Sequence, residues 1–133
     1  MTLPAVAYVD SSALVKLVVS EPESEPLRAE LASWGRHASS ALARTEVVRA
    51  AALRGEPARR TAAWLVRTLE LLSVTDEILD AATGVEPAAL SSLDAIHLAS
   101  AMSLGDALGV VVTYDRRLAD AAQGVGIAVL SPA

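Results

Sequence analysis

The chain has no cysteine, no phenylalanine and a single lysine, Lys16. Without cysteine there can be no disulfide, no thiolate zinc site and no cysteine nucleophile. That absence also fits a reducing cytoplasm. Aromatic residues are only 3% of the chain, so its core must be built from Ala, Leu and Val. No apolar run approaches the roughly 18 residues of a membrane span. Met1-Thr2-Leu3-Pro4 lacks the basic region of a signal peptide, and Asp10 interrupts the apolar stretch that follows. A cytoplasmic protein without a membrane anchor is therefore expected. The net charge of −5 argues against a broad electrostatic grip on nucleic acid. A bound metal would offset part of that charge, and every basic residue except Lys16 is Arg, the better phosphate partner.

What remains is a strongly apolar chain of 133 residues, 53% hydrophobic and 20% charged. That length suits one domain over residues 1–133, and that composition suits a packed core rather than disorder. Strand and helix patterns alternate. Residues 5–9 read as a strand, followed by a helix from Ser11 to about Val19. Pro22 and Pro26 bracket the start of a helix with Leu27, Leu31 and Trp34 at i, i+4 and i+7, which Gly35 ends. His37–Ser39 reads as a weak strand, and Ser40 as the cap of a helix to Leu53. After Gly55-Glu56-Pro57 comes a helix with Ala62, Leu65 and Leu69 on one face. Leu71–Val74 reads as a short strand and Thr75-Asp76-Glu77 as a helix start. Helices from Ser91 to Leu104 and from Arg116 to about Gln123 flank the clearest strand, Val110–Tyr114. Ile127–Leu130 is a final strand. Continuous apolar strands separated by helices indicate a parallel sheet covered on both faces, an α/β fold.

Four carboxylates stand where apolar or small residues would be expected. Asp10 and Asp115 each end an apolar run, and Glu46 and Asp94 sit in helices rich in Ala, Leu, Val and Ile. A buried charge without a partner is expensive. Each acid also has a local explanation. Asp10 and Asp115 precede helices and could be N-caps. Ser91-Ser92-Leu93-Asp94 is a capping box. Glu46 shares a helix face with Leu42, Ala43, Ala50 and Leu53, so only an ion pair such as one with Arg49 would excuse it.

The combination says more. Sites in open α/β sheets form beyond the carboxyl ends of the strands. If the strands ending in Asp10 and Asp115 are neighbours, those carboxylates would stand about 5 Å apart. Glu46 and Asp94 could close the walls. Hard oxygen ligands without His or Cys suit Mg²⁺, with Mn²⁺ able to substitute, and disfavour zinc.

Asp10-Ser11-Ser12-Ala13-Leu14-Val15-Lys16, Thr45-Glu46, Leu93-Asp94-Ala95-Ile96-His97-Leu98-Ala99 and Val112-Thr113-Tyr114-Asp115-Arg116-Arg117-Leu118 together resemble the PIN domain, in the form of VapC-type toxins of bacterial toxin–antitoxin pairs. The resemblance runs over essentially the whole chain. It implies a three-layer α/β/α sandwich and a Mg²⁺-dependent endoribonuclease. It also implies a homodimer and a cognate antitoxin that occludes the active site. Residue by residue, it makes Asp10 and Asp94 the principal metal ligands and Glu46 and Asp115 the remaining acids of the same catalytic, metal-binding quartet. Thr113 and Ser11 become accessory hydroxyls. Direct hydrolysis by metal-activated water, leaving a 5′-phosphate and a 3′-hydroxyl, follows from it.

Arg116, Arg117, Lys16 and Arg44 are candidates to hold RNA phosphates, or else solvated surface charges. His97, one turn beyond Asp94, reads as orienting that acid or packing locally rather than as a general base. The stripes Leu27-Leu31-Trp34 and Ala62-Leu65-Leu69 serve the core first, with one left over for an antitoxin or a second protomer. Two other readings remain. One is a phosphoryl-transfer enzyme on a related sheet, opposed by the lack of a second lysine and by Ser12 where a phosphatase would carry a second acid. The other is a catalytically silent binding module whose acids are only caps.

Overall fold

A computed structural model describes residues 5–133. Met1-Thr2-Leu3-Pro4, and the reading of the amino terminus with it, lie outside the described residues. The elements in chain order are β1 (Val6–Val9), α1 (Ser11–Val18), α2 (Ser24–Ala32), β2 (Arg36–Ser40), α3 (Ala43–Ala52), α4 (Glu56–Arg67), β3 (Glu70–Leu72), α5 (Asp76–Ala82), α6 (Ser92–Met102), β4 (Leu108–Val112), α7 (Arg116–Gly124) and β5 (Val129–Leu130). A short 3₁₀ turn, Gly105–Ala107, leads into β4.

All five strands pair in parallel, in the order β3-β2-β1-β4-β5. The chain winds outward in one direction from β1 through β3, then crosses back to lay β4 on the other side of β1. This strand order reverses beside β1 and β4, which makes their carboxyl ends the crevice where sites form in such sheets. It also differs from the 2-1-3-4-5 order of receiver-type sheets, which weakens the phospho-acceptor alternative.

Strand alternation divides the core. Ala7, Val9, Val110 and Val112 face one layer with Leu14, Leu27, Leu31, Val47, Ala62 and Val66 from α1–α4. Tyr8 and Val111 face the opposite layer with Ala101 of α6, and Leu98 packs there with Leu118, Ala121 and Ala122 of α7. Both faces of β1 and β4 are therefore dry, which is why those strands read as unbroken apolar runs. The layers give the expected α/β/α sandwich.

Geometry requires glycine at positions 55 and 109. Gly55 has φ of +110° at the entry to α4, a backbone that an L side chain rarely adopts. Gly109 lies under the ring of Trp34, where an added Cβ would come within 2.2 Å of the indole. Trp34 itself lies just past α2, packed on the core, with its indole N–H donating to Glu30 at 2.9 Å.

The stripe expectation needs correction. Leu27, Leu31 and Ala62 are buried, and Trp34, Leu65 and Leu69 pack against the same cluster, so both stripes are core. The exposed large apolar side chains are others, above all Leu53 and Trp64 at 87% and 66% exposed. Among the described residues, no helix is long and apolar enough to cross a membrane.

Candidate active site

Asp10 follows the last residue of β1 and caps α1. Its Oδ1 accepts from the Ala13 backbone N–H at 3.0 Å and from the Ser12 hydroxyl at 2.7 Å. Its Oδ2 accepts from the Thr113 hydroxyl at 2.6 Å. The capping explanation is thus correct but incomplete, because Asp10 is 3% exposed and receives a donor from across the sheet. Burial pushes its pKa up, against the opposing pull of Thr113, Ser12, Ala13 and His97.

The register decides which residues meet at the crevice. Val9 pairs with Val112, so the position across from Asp10 is Thr113, and Asp115 lies two residues farther on. The side-by-side placement of Asp10 and Asp115 expected from neighbouring strands is therefore replaced by Asp10 beside Thr113. Thr113 is fully buried and links the two acids: its hydroxyl donates to Asp10 and accepts from the Asp115 backbone N–H at 3.0 Å. Asp115 caps α7, accepting from the backbone N–H groups of Arg117 at 2.9 Å and Leu118 at 3.3 Å.

Asp94 enters from the first turn of α6, whose N-cap Ser91 accepts from the Asp94 backbone N–H at 3.1 Å. Its carboxyl faces Asp115 and feels Asp10. Burial first, then the contact with Asp115 and the Asp10 charge, push its pKa up to about 6. Three acids from α1, α6 and α7 ends therefore share one electrostatic pocket.

Glu46 is placed differently. Its Oε1 accepts from the Ser11 hydroxyl at 2.7 Å and from His97 Nε2 at 2.8 Å. Burial opposes ionisation of Glu46, but the bonds from His97 and Ser11 outweigh it and hold its pKa below the usual range. Glu46 is thus held by His97 and Ser11, whereas Asp94 is pressed by Asp115 and, less, by Asp10.

Two residues were missed or misplaced from sequence. Ser12 donates to Asp10 and accepts from the Tyr114 backbone N–H at 3.0 Å, tying the ends of β1 and β4 together. Its signal was a hydroxyl two residues after a strand-ending Asp. His97 does not hold Asp94. It is buried between Glu46 and the Tyr8 hydroxyl, the latter 2.7 Å from Nδ1.

Among the phosphate-binding candidates, Lys16 is committed elsewhere. Its ammonium pairs with Glu21 at 2.9 Å and Glu23 at 2.8 Å and lies 4.8 Å from the centre of the Tyr114 ring. Arg44, Arg116 and Arg117 have exposed side chains, the first two residues before Glu46 and the others directly after Asp115.

The carboxyl ends of β1 and β4 thus carry Asp10, Asp94 and Asp115 around the buried Thr113 hydroxyl, with exposed arginines next to Asp115 and two residues before Glu46. Comparison with known proteins places the fold in a family. The family model described as PIN domain matches residues 7–124. The chain is 50% identical over 128 residues to Ribonuclease VapC46 of Mycobacterium tuberculosis, covering 96% of this chain and 98% of that protein. In structure it superposes on Mycobacterium tuberculosis VapC20, described as a sarcin-ricin loop cleaving toxin, with a TM-score of 0.76 at 18% identity, over 95% of this chain and 99% of that one. It superposes equally fully on a toxin–antitoxin complex from Klebsiella pneumoniae, with a TM-score of 0.73 at 20% identity, over 96% and 98% of the two chains. With its acids gathered at the carboxyl ends of β1 and β4 and half its residues shared with a VapC protein along nearly its full length, the chain belongs to the PIN-domain family, among the VapC proteins.

Proposed function

We propose that this chain is the toxin of a type II toxin–antitoxin pair, a Mg²⁺-dependent endoribonuclease of the cytoplasm with its active site at Asp10, Glu46, Asp94 and Asp115. The observation that carries the reading is the half-buried Asp94 set against Asp115 and near Asp10: burial first, then those two acids, push it up to about 6. Like charges held together at a strand-end crevice call for a cation.

The donor set fits such an ion. Among the described residues no three acidic or histidine side chains stand ready-made as a metal cluster. The free lone pairs nevertheless point to a site. A carboxylate offers about four acceptor positions. Asp10 has three filled by Ala13, Ser12 and Thr113, which leaves one on Oδ2. Among the described residues Asp94 receives no side-chain donor, and Asp115 uses only Oδ1 for capping. Asp10, Asp94 and Asp115 would hold the ion, all through oxygen, as Mg²⁺ or Mn²⁺ prefers. When bound, the ion would supply water activation and offset charge on the phosphate. Glu46, kept ionised by Ser11 and His97, would orient the attacking water. Thr113 would fix Asp10 and Ser11 would fix Glu46. Arg116, Arg117 and Arg44 would pair with flanking phosphates; Lys16 is dropped from that role because two glutamates already hold it.

The partners follow the same reading. A VapC relative at half identity supports RNA as substrate, and a toxin–antitoxin complex among the structural neighbours supports an antitoxin. Two surfaces are open to a protein partner. One carries Leu53, just past α3, and Trp64 on α4. The other is a mainly apolar groove of about 1310 Å³ between α5, α6 and α7, lined by Ile78, Leu90, Leu98, Met102 and Val125. A second copy of the chain and the antitoxin are proposed to occupy these surfaces.

The deciding experiment incubates the purified chain with defined RNAs in Mg²⁺, in Mn²⁺ and in EDTA, and maps the ends by sequencing. Cleavage with metal, none in EDTA, and 5′-phosphate with 3′-hydroxyl ends are expected. Cleavage that persists in EDTA, or 2′,3′-cyclic ends, would remove the metal-hydrolysis reading.

A further inference from the structure

We propose that Tyr8 and His97 form a positioning relay that turns Glu46, presenting its Oε2 to the acidic pocket. The inference rests on the ribonuclease reading only for its kinetic consequence; the relay itself is a matter of three side chains.

The polar path runs from β1 through α6 to α3. Tyr8 is completely buried, and its hydroxyl lies 2.7 Å from His97 Nδ1. The two rings meet edge to face at 6.0 Å. On the far side of the imidazole, Nε2 lies 2.8 Å from Glu46 Oε1 and 3.4 Å from the Ser11 hydroxyl. Both bonds to Glu46 fall on Oε1, and Oε2 receives none from the described residues. One oxygen is therefore anchored and the other has no partner among the described residues.

The direction of the protons follows from chemistry. An ionised carboxylate can only accept, so Nε2 carries a proton and donates it to Oε1. In a neutral imidazole Nδ1 is then the acceptor, and the Tyr8 hydroxyl donates to it. Tyr8 is buried and, among the described residues, its phenol is the one O–H within reach of Nδ1, so it supplies the proton this role needs. Its own oxygen has neighbours to satisfy it. The hydroxyls of Ser100 and Ser39 lie near that of Tyr8, and both are buried with no hydrogen-bond partner among the described residues. They can turn their protons toward the Tyr8 oxygen. A buried polar chain that terminates on one oxygen of a site carboxylate is a positioning device, because apolar packing alone would leave the side-chain torsions of Glu46 free. Outer partners of this kind affect activity by roughly 10- to 100-fold when removed.

The test has two arms. The first uses the whole ¹⁵N-labelled chain without metal or RNA. The His97 ring proton is expected on Nε2, slow to exchange, and fast to exchange in Glu46→Ala. A ring protonated on Nδ1 alone, or unchanged exchange in Glu46→Ala, overturns the relay. The second arm is single-turnover cleavage in Mn²⁺ of an RNA the wild type cuts. His97→Leu is expected to slow cleavage roughly 10- to 100-fold. His97→Gln, which keeps an N–H near Nε2, is expected to recover most of that rate. Adding His97→Leu to Glu46→Ala should cause no further loss, since the two act as one unit. Multiplied losses in the double variant would overturn the relay. So would a His97→Leu defect that merely tracks the folded fraction by circular dichroism. A wild type that cleaves no RNA removes the ribonuclease reading instead, and the spectroscopic arm still decides the relay.

Discussion

Replacing Asp94 with Asn should stabilise the metal-free protein at neutral pH while abolishing cleavage. In the native state the Asp94 carboxyl is pushed from 3.8 up to about 6 by burial, by Asp115 and by Asp10. A group whose native pKa is raised binds its proton more tightly folded than unfolded, so stability falls as pH rises between the two values. The strain is absent below about pH 4 and complete above about pH 6. Taken at face value it is about 3 kcal/mol. Asp94 is only partly buried, so solvent screening reduces it to on the order of 1–2 kcal/mol. An opposing effect must be subtracted. Asp94 lies in the first turn of α6, where a negative charge gains about 0.3–1 kcal/mol from the helix dipole.

The net expectation for Asp94→Asn in EDTA is a gain of about 1 kcal/mol at pH 7.5, or about 3–5 °C in Tm for a chain of this size. Thermal melts of both proteins in EDTA from pH 3.5 to 8 should show the gap opening between about pH 4 and pH 6. Mn²⁺ should then reverse the order, raising the wild type more than the variant. A gap that is the same at pH 3.5 and pH 7.5, or equal Mn²⁺ shifts in both proteins, would refute the crowded-acid argument.

The parts of the fold legible in the sequence were those decided locally. β1 and β4 are dry on both faces, so they appear as uninterrupted apolar runs, and Gly55 and Gly35 punctuate the helices around them. The edge strands were less legible. β3 and β5 are only Glu70–Leu72 and Val129–Leu130, each paired on one side, and the expected Leu71–Val74 and Ile127–Leu130 placed their limits differently. Ser40 was read as a cap; it accepts from the Leu42 backbone N–H in a turn, and α3 begins at Ala43. The periodicity of Leu27, Leu31 and Trp34 correctly indicated a buried face but could not say what covers it. That depends on Gly109, 75 positions away along the chain, making room for an indole.

The candidate site divides in the same way. Strand-end acids are visible because charge at the end of an apolar run is conspicuous. Which acids face each other is set by register, and the offset that brings Thr113 opposite Asp10 leaves no mark in the local sequence. His97 was assigned to Asp94 by proximity along the helix, yet its partners are Tyr8 and Glu46, separated from it by 89 and 51 positions. Lys16 is the reverse case. Its glutamates follow by five and seven positions, so its neutralisation could have been read from the chain itself.

Further substitutions test the remaining steps. Gly109→Ala drives a methyl into the Trp34 ring and should destabilise by about 1–3 kcal/mol in chemical denaturation; Trp34→Leu in the same chain should recover part of that loss. Arg116→Ala with Arg117→Ala should weaken RNA binding and flatten its salt dependence, measured by KM at two salt concentrations, whereas Lys16→Met should leave KM unchanged. Thr113→Val separates stability from ligand positioning. Valine matches the buried volume but removes the donor to Asp10 and the acceptor for the Asp115 N–H, a loss of about 1–3 kcal/mol in unfolding free energy. Because Thr113 also aims the Oδ2 that keeps one acceptor position open, Mn²⁺ should stabilise this variant less than the wild type. An Mn²⁺ shift as large as that of the wild type would mean that the hydroxyl holds the two strand ends together and has no part in presenting Asp10 to the ion.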